Sequence, residues 1–191
     1  VINAARKQIA SSSQKDIYSG LLILYGLLMT QKEICISIIN DQTIQRLIAL
    51  IADNEIDFQI KNKIFEFISE LCKNDKVLTH KFWNEKLQDE LIKIISDDNP
   101  SILLTAPIEI LSIMASWTKA SYFKLVEEFD IMNILLHKLT LPLSIPDQYG
   151  VLNGLSSILE LEPSNSDNKH LIEIVHNVFL HISGSDLNDQ V

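Results

Sequence analysis

The feature that most constrains this chain is a helical pattern returning about every 44 residues. Ile64, Ile108 and Leu152 are spaced 44 apart, and each lies early in an apolar helical stretch. Each of those stretches follows a shorter helical pattern and a polar turn. The leading stretches keep step, because Leu47, Leu91 and Leu135 also stand 44 apart. A period in the forties, with two or three helices per unit, predicts an all-α stack of repeats, an α-solenoid. A period of about 34 would have predicted a shorter two-helix unit. Such a stack offers an elongated surface rather than one catalytic pocket, so the period argues for a binding module.

The 191 residues suffice for about four repeats sharing a continuous core. With 47% hydrophobic and 21% charged residues the balance is globular, not disordered. The longest apolar run, residues 20–29, falls short of the roughly 20 residues a transmembrane helix needs. It also lacks the flanks of a cleaved secretion signal. Membrane insertion is therefore not expected. The chain begins with Val1, which suggests a fragment of a longer protein. Cys35 and Cys72 sit inside apolar stretches and read as buried reduced thiols, which points to an intracellular protein, cytoplasmic or nuclear.

Charge is uneven. Residues 1–80 carry nine basic and nine acidic side chains, whereas residues 81–191 carry seven and sixteen and hold the whole net charge of −9. No basic stripe is present, and an acidic half repels phosphate, so nucleic acid is not an expected partner.

Along the chain, residues 1–11 predict a short helix, a truncated first repeat. Residues 14–30 predict a helix apolar nearly all round, and hence buried between neighbours. Its Gly20 and Gly26 each cost helix stability by about 1 kcal/mol relative to Ala, which close helix–helix approach would compensate. A short helix at 32–39 precedes a cap at Asn40 or Asp41 and a helix at 42–52. A long helix follows at 57–73, with Phe58, Ile60, Ile64, Phe67, Ile68 and Leu71 inward. After a hydrophilic break the order repeats with helices at 83–96 and 100–117. Asn99 caps the second of these and Pro100 takes its first position. Pro107 falls in its interior, where it should kink or split the helix. A third unit runs from Tyr122 through Leu139. Pro142 and Pro146 bracket the next turn, and a helix follows at 147–161. A polar loop at 162–169, a last helix at 170–182 and a frayed acidic tail at 185–191 complete the expectation of one domain over 1–184.

The segment 43–75 reads TIQRLIALIADNEIDFQIKNKIFEFISELCKND. It has a helix with a Leu-Ile pair, a small polar turn, a long helix and a hydrophilic break, and it resembles an armadillo repeat. Residues 87–118 follow more loosely, and the phase covers about 14–161. The resemblance is to the armadillo/HEAT superfamily as a class. It implies a right-handed superhelix in which the last helix of each repeat lines a concave groove that binds proteins. Importin-like members carry a Trp and Asn ladder on those helices. Here the helices read FEFISEL, EILSIMASW and LNGLSSIL, with Asn153 and Trp117 alone of the right type, so classical nuclear-signal binding is not implied.

The polar residues left over on the three long helices are Asn62, Glu66, Ser69 and Lys73; Thr105, Glu109, Ser112 and Ser116; and Asn153, Ser156 and Glu160. Helical spacing puts each set on one face. As a groove lining they would form a mildly acidic strip whose hydroxyls admit a partner backbone closely. Glu66, Glu109 and Glu160 would meet Lys or Arg of a basic peptide or helix. The alternative is a set of merely solvated faces.

Phe82, Trp83, Trp117, Tyr122 and Phe123 are candidate partner anchors or caps of the core between repeats. His80, His137, His170, His176 and His181 contain no i, i+4 pair, so no metal is expected. Glu127, Glu128 and Asp130 read as a solvated acidic face. No phosphate-cradling glycine motif or nucleophile elbow is present, and neither enzymatic activity nor a cofactor is expected. Two functional readings follow: a scaffold or adaptor binding a peptide or helix, or a regulatory domain docking on a folded machine such as a cytoskeletal assembly factor, a chaperone or a phosphatase. Both leave room for flanking repeats or a homo-oligomer.

Overall fold

Every helix start in this chain must satisfy backbone N–H groups that have no partner within the helix, and short polar residues supply most of the acceptors. The computed structural model describes residues 2–98 and 102–161. Ser13 accepts from Asp16 N ahead of α2 (Gln14–Thr30), which follows α1 (Ile2–Ile9). After α3 (Lys32–Ile38), Asn40 rather than Asp41 accepts from Thr43 N at 2.9 Å and opens α4 (Asp41–Ala52). Asp57 opens α5 (Phe58–Asn74), and Asp75 accepts from both Val77 N and Leu78 N to open α6 (Lys76–Phe82). Asn84 opens α7 (Glu85–Ser96). Then come α8 (Thr105–Ala115), α9 (Lys119–Phe123) with its cap Thr118, and a π-helical turn, Lys124–Glu128. The described residues end with α10 (Ile131–Lys138) and α11 (Ile145–Glu160), the latter capped by Ser144. The described secondary structure is entirely helical.

Two rows organise these helices. Helices α2, α5, α8 and α11 pack each on the next, and so do α1, α4, α7 and α10. The 44-residue step is visible in the core: Leu47, Leu91 and Leu135 are fully buried, as are Ile64 and Ile108. Leu152 is not their equivalent. It is half-buried, and its neighbour Val151 takes the inward place, so the period slips by one residue.

Polar bonds between successive helices repeat at nearly the same separation. Gln14 Nε2 donates to Glu55 O (2.9 Å), and Gln14 Oε1 accepts from Asp57 N (3.0 Å). Asn62 Oδ1 accepts from Leu103 N (3.0 Å), and Asp147 Oδ1 accepts from Leu104 N (2.7 Å). Leu104 has no side-chain cap of its own, so α8 is opened by side chains borrowed from α5 and α11. Lys138, fully buried, donates its ammonium to Asp97 O and ties α10 to the end of α7.

Several expectations need correction. Pro107 is not in a helix interior: α8 begins at Thr105, so the proline sits in the first turn, where its missing N–H has no partner to lose. The break after 75 contains α6. The unit from Tyr122 is not continuous, because the π turn ends at Glu128 and Asp130 adopts a left-handed backbone (φ 53°) before α10. Helix α2 is not buried all round: Ile17, Leu21, Leu24 and Leu28 face the core, whereas Leu22 (46% exposed) and Met29 (60%) face outward. Phe58 is also outward. A Cβ at Gly20 would stand 2.9 Å from Ala5 O, so that glycine does permit close approach of α1 and α2; at Gly26 it would meet nothing. Asn99, Pro100, the loop 162–169, the helix 170–182, the tail 185–191 and His170, His176 and His181 lie outside the described residues.

No single helix among the described residues is long and apolar enough to cross a membrane. The pair α3 and α4 passes by length and composition when taken together, but it is bent by 87° and most of its apolar residues, though not the exposed Ile34, are packed in or against the core.

Candidate functional site

Helices α5, α8 and α11 lie side by side, so residues at equivalent positions on them form one strip. Two adjoining depressions run along it. The first, about 250 Å³, lies between α5 and α8 and takes in Asn62, Glu66, Ser69, Lys73, Thr105 and Glu109. The second, about 370 Å³, lies between α8 and α11 and takes in Lys73, Thr105, Glu109, Ser112, Ser116, Asn153 and Glu160. The structure therefore brings together every predicted strip residue except Ser156. That serine is exposed off the strip, and Ser157 lines the depression in its place. The reason is angular: a step of four residues passes a full turn by about 40° from Asn153, whereas a step of three falls short on the other side by about 60°.

Most of these side chains are already engaged. Lys73 Nζ pairs with Glu109 Oε1 at 2.7 Å, and Ser69 Oγ donates to the other oxygen of the same carboxylate. Lys63 pairs with Glu66 and stands 5.0 Å over the ring of Tyr25. The hydrogen bond to Glu66 raises the Lys63 pKa above its usual value despite partial desolvation. Desolvation pulls the Lys73 pKa down, but its bonds and charge coupling to Glu109 and Glu70 outweigh that and raise it. Glu66 and Glu109 are thus not the free carboxylates that the sequence suggests. Ser112 and Ser116 turn back to their own helix, donating to Ile108 O (2.9 Å) and Ile113 O (2.7 Å). Thr105 Oγ1 donates to Pro146 O across to α11, and Asn62 is committed to Leu103 N.

The chemically open part is the α11 end. Asn153, Ser157 and Glu160 are exposed and have no hydrogen bond or ion pair among the described residues. Gly150 and Gly154 make the depression there possible. A Cβ at Gly150 would lie 2.8 Å from Thr105 Cα, and one at Gly154 would lie 2.2 Å from Ile108 Cγ2, so both glycines let α11 approach α8 closely.

At the other end Tyr25 lines the first depression, and Tyr18, Leu22 and Met29 continue outward from it along α2. This apolar set stands 44 residues before Asn62, Glu66, Ser69 and Lys73. The offset is a periodic signal in the sequence, and it lies on the face of α2 that the apolar pattern alone assigns to the core.

The candidate aromatic anchors separate. Phe82 and Tyr122 are core, Trp83 and Trp117 are half-buried, and Phe123 is exposed. Trp117 packs against His80 with ring centroids 5.6 Å apart. Glu127, Glu128 and Asp130 are exposed. Burial pushes the Cys35 thiol up to about 11 and the Cys72 thiol up to about 12, so neither is poised as a nucleophile. No cluster of three or more His, Cys, Asp or Glu able to hold a metal occurs among the described residues. Family models, curated proteins and solved structures give no match to this chain, so its role is argued from its own residues.

Proposed function

We propose that this chain is a protein-interaction scaffold of the armadillo/HEAT kind: a right-handed α-solenoid that binds a peptide or helix of a protein partner along the strip on α5, α8 and α11. The observation that carries the reading is the convergence of polar residues spaced 43 to 45 apart on one face of three successive helices, where they line adjoining depressions. The packing of helix on helix along the row, with side-chain bonds recurring 40 to 43 residues apart, supports the stacked-repeat part of the proposal. The partner's charge preference comes from Glu160 and the overall −9 more than from Glu66 and Glu109, which Lys63 and Lys73 already neutralise. A basic partner fits that balance, with charge acting mainly on encounter rate. The role is non-catalytic and needs no cofactor.

The test is selection of binders from a random peptide library, followed by mapping of backbone amide shifts. Peptides that shift Asn153, Ser157 and Glu160, and lose about tenfold or more in affinity to Ser157→Arg, support the scaffold reading. Glu109→Lys is a poor probe because it also breaks the contacts to Ser69 and Lys73. The second reading, regulatory docking on a folded machine, is favoured by apolar side chains exposed away from the strip, Val77 (69%) and Phe123 (44%). Binders whose shifts cluster at those residues, indifferent to Ser157→Arg, would replace the first reading with the second.

A further inference from the structure

The chain has sixteen cationic side chains other than histidine, and two of them are arginine, Arg6 and Arg46. They stand 40 residues apart, on α1 and α4, and both line the same small cavity of about 160 Å³. This cavity lies on other helices than the strip described above.

Neither guanidinium pairs with a carboxylate among the described residues, in a chain whose acidic groups exceed its basic ones by nine. Each instead uses part of its fork on backbone carbonyls. Arg6 donates to Ile38 O, and Arg46 donates to Ile9 O (3.2 Å) and Ser11 O (2.9 Å). Donors are left over: the buried Nε of Arg6 has no acceptor. A guanidinium carries five N–H donors and no acceptor, so carbonyl capping leaves each of these side chains partly unsatisfied.

The other polar side chains of the lining, Asn40, Gln42 and Thr43, are uncharged and carry both donors and acceptors. Asn40 Oδ1 already accepts from both Thr43 N and Thr43 Oγ1, which leaves its amide NH₂ uncommitted. The cavity also abuts the first turn of α4, the positive end of a twelve-residue helix. The acidic group in that turn, Asp41, is held by Lys81 at 2.9 Å. Two positive charges, a surplus of donors and no carboxylate in the lining match a ligand that only accepts and carries about two negative charges. A planar fork is also the group best shaped for a phosphate, which explains arginine at these two places where lysine serves everywhere else.

We propose that the Arg6–Arg46 cavity is a binding site for a phosphate group, either free or borne on a phosphorylated side chain of a partner. The site does not depend on the scaffold reading and stands or falls separately.

The test is titration of the whole chain, followed by backbone amide shifts, with sodium phosphate and separately with a short phosphoserine peptide. Sodium chloride at matched ionic strength is the reference. Expected are saturable shifts at Arg6, Asn40, Thr43 and Arg46, with a dissociation constant for phosphate in the millimolar range. Arg6→Lys and Arg46→Lys keep the charge and lose the fork; each should weaken binding about tenfold. Arg46 also holds α1, so a folded spectrum of each variant is required, and Arg6→Lys serves if Arg46→Lys unfolds. A phosphoserine peptide binding tenfold tighter than phosphate assigns the site to a modified partner; equal affinities assign it to the free anion. Shifts that merely track ionic strength, or unchanged affinity in both folded variants, would overturn the proposal and leave the arginines as carbonyl caps.

Discussion

Three glycines on long helices separate two effects that the same substitution combines. Replacing a helical glycine by alanine restores about 1 kcal/mol of helix propensity wherever the added methyl has room. At Gly26 a Cβ meets nothing within 4 Å, so Gly26→Ala should stabilise the chain by about 1 kcal/mol, or about 2–4 °C in Tm at this size. At Gly150 the same methyl would lie 2.8 Å from Thr105 Cα and 2.9 Å from Thr105 Oγ1, against ordinary contact from 3.4 Å. A backbone atom cannot rotate aside, so α8 and α11 must separate. At Gly154 the methyl would lie 2.2 Å from Cγ2 of Ile108, a fully buried β-branched side chain on a helix whose χ1 has little freedom. Overpacking of this kind costs about 1–3 kcal/mol. After the propensity gain is subtracted, Gly150→Ala should lose about 1 kcal/mol and Gly154→Ala about 2 kcal/mol. The assay is urea unfolding followed by far-UV circular dichroism, with the slope m compared so that a shifted midpoint reads as stability. The decisive quantity is the gap between Gly26→Ala and Gly154→Ala, about 3 kcal/mol and opposite in sign. If both variants gain stability, α8 and α11 are not in the close contact that shapes the depression at Asn153 and Ser157, and the reasoning fails.

Other substitutions follow from the same contacts. Asp147 accepts from the otherwise uncapped Leu104 N and from Ser144 Oγ, so Asp147→Ala should cost about 1–3 kcal/mol; an unchanged urea midpoint would refute that bridge. Cys35 and Cys72 titrate at about 11 and about 12 against an ordinary 9.0, so the folded state retains their protons after the unfolded state has lost them. Their contribution is fully present below pH 9.0 and is lost as pH rises through those values, so stability should fall more steeply above pH 9 in the parent than in Cys35→Ala plus Cys72→Ala. Near pH 8 both thiols should react with a disulfide reagent at least about 100-fold more slowly in the native chain than in urea, and equal rates would contradict their burial.

What was legible in the sequence is what periodicity encodes. Apolar spacing places the starts of α2, α4 and α11 to within about two residues, and at α4 the cap Asn40 also marks the start chemically. The strip was legible for the same reason: Asn62 and Thr105 fall on one face of their helices whatever packs behind them. Three things were not legible. Helix α6 is seven residues with little apolar periodicity, and it exists because Asp75 caps two N–H groups at once. The start of α8 depends on Asn62 and Asp147, about 40 residues away on either side, so no local signal marks it. The engagement of Glu66 and Glu109 depends on where Lys63 and Lys73 reach, which helical spacing does not specify.

The committed and uncommitted polar groups divide the strip by function. Gln14, Asn62 and Asp147 each use an amide or carboxylate oxygen to hold the backbone that leads into a neighbouring helix of the row, so two helix starts, those of α5 and α8, are clamped by side chains from adjacent units. A side chain spent in this way cannot also be offered to a partner without unfastening a helix. The polar positions free of such duty collect on α11, as Asn153, Ser157 and Glu160, and the apolar ones collect on α2, as Leu22 and Met29 with Tyr18 beside them. A partner lying along the whole row would therefore meet apolar surface at one end, self-neutralised charge in the middle and open hydrogen-bonding groups at the other. That asymmetry gives a bound segment a direction. It also means that a substitution in the middle, at Asn62 or Glu109, tests the fold, whereas one at Ser157 or Leu22 tests recognition.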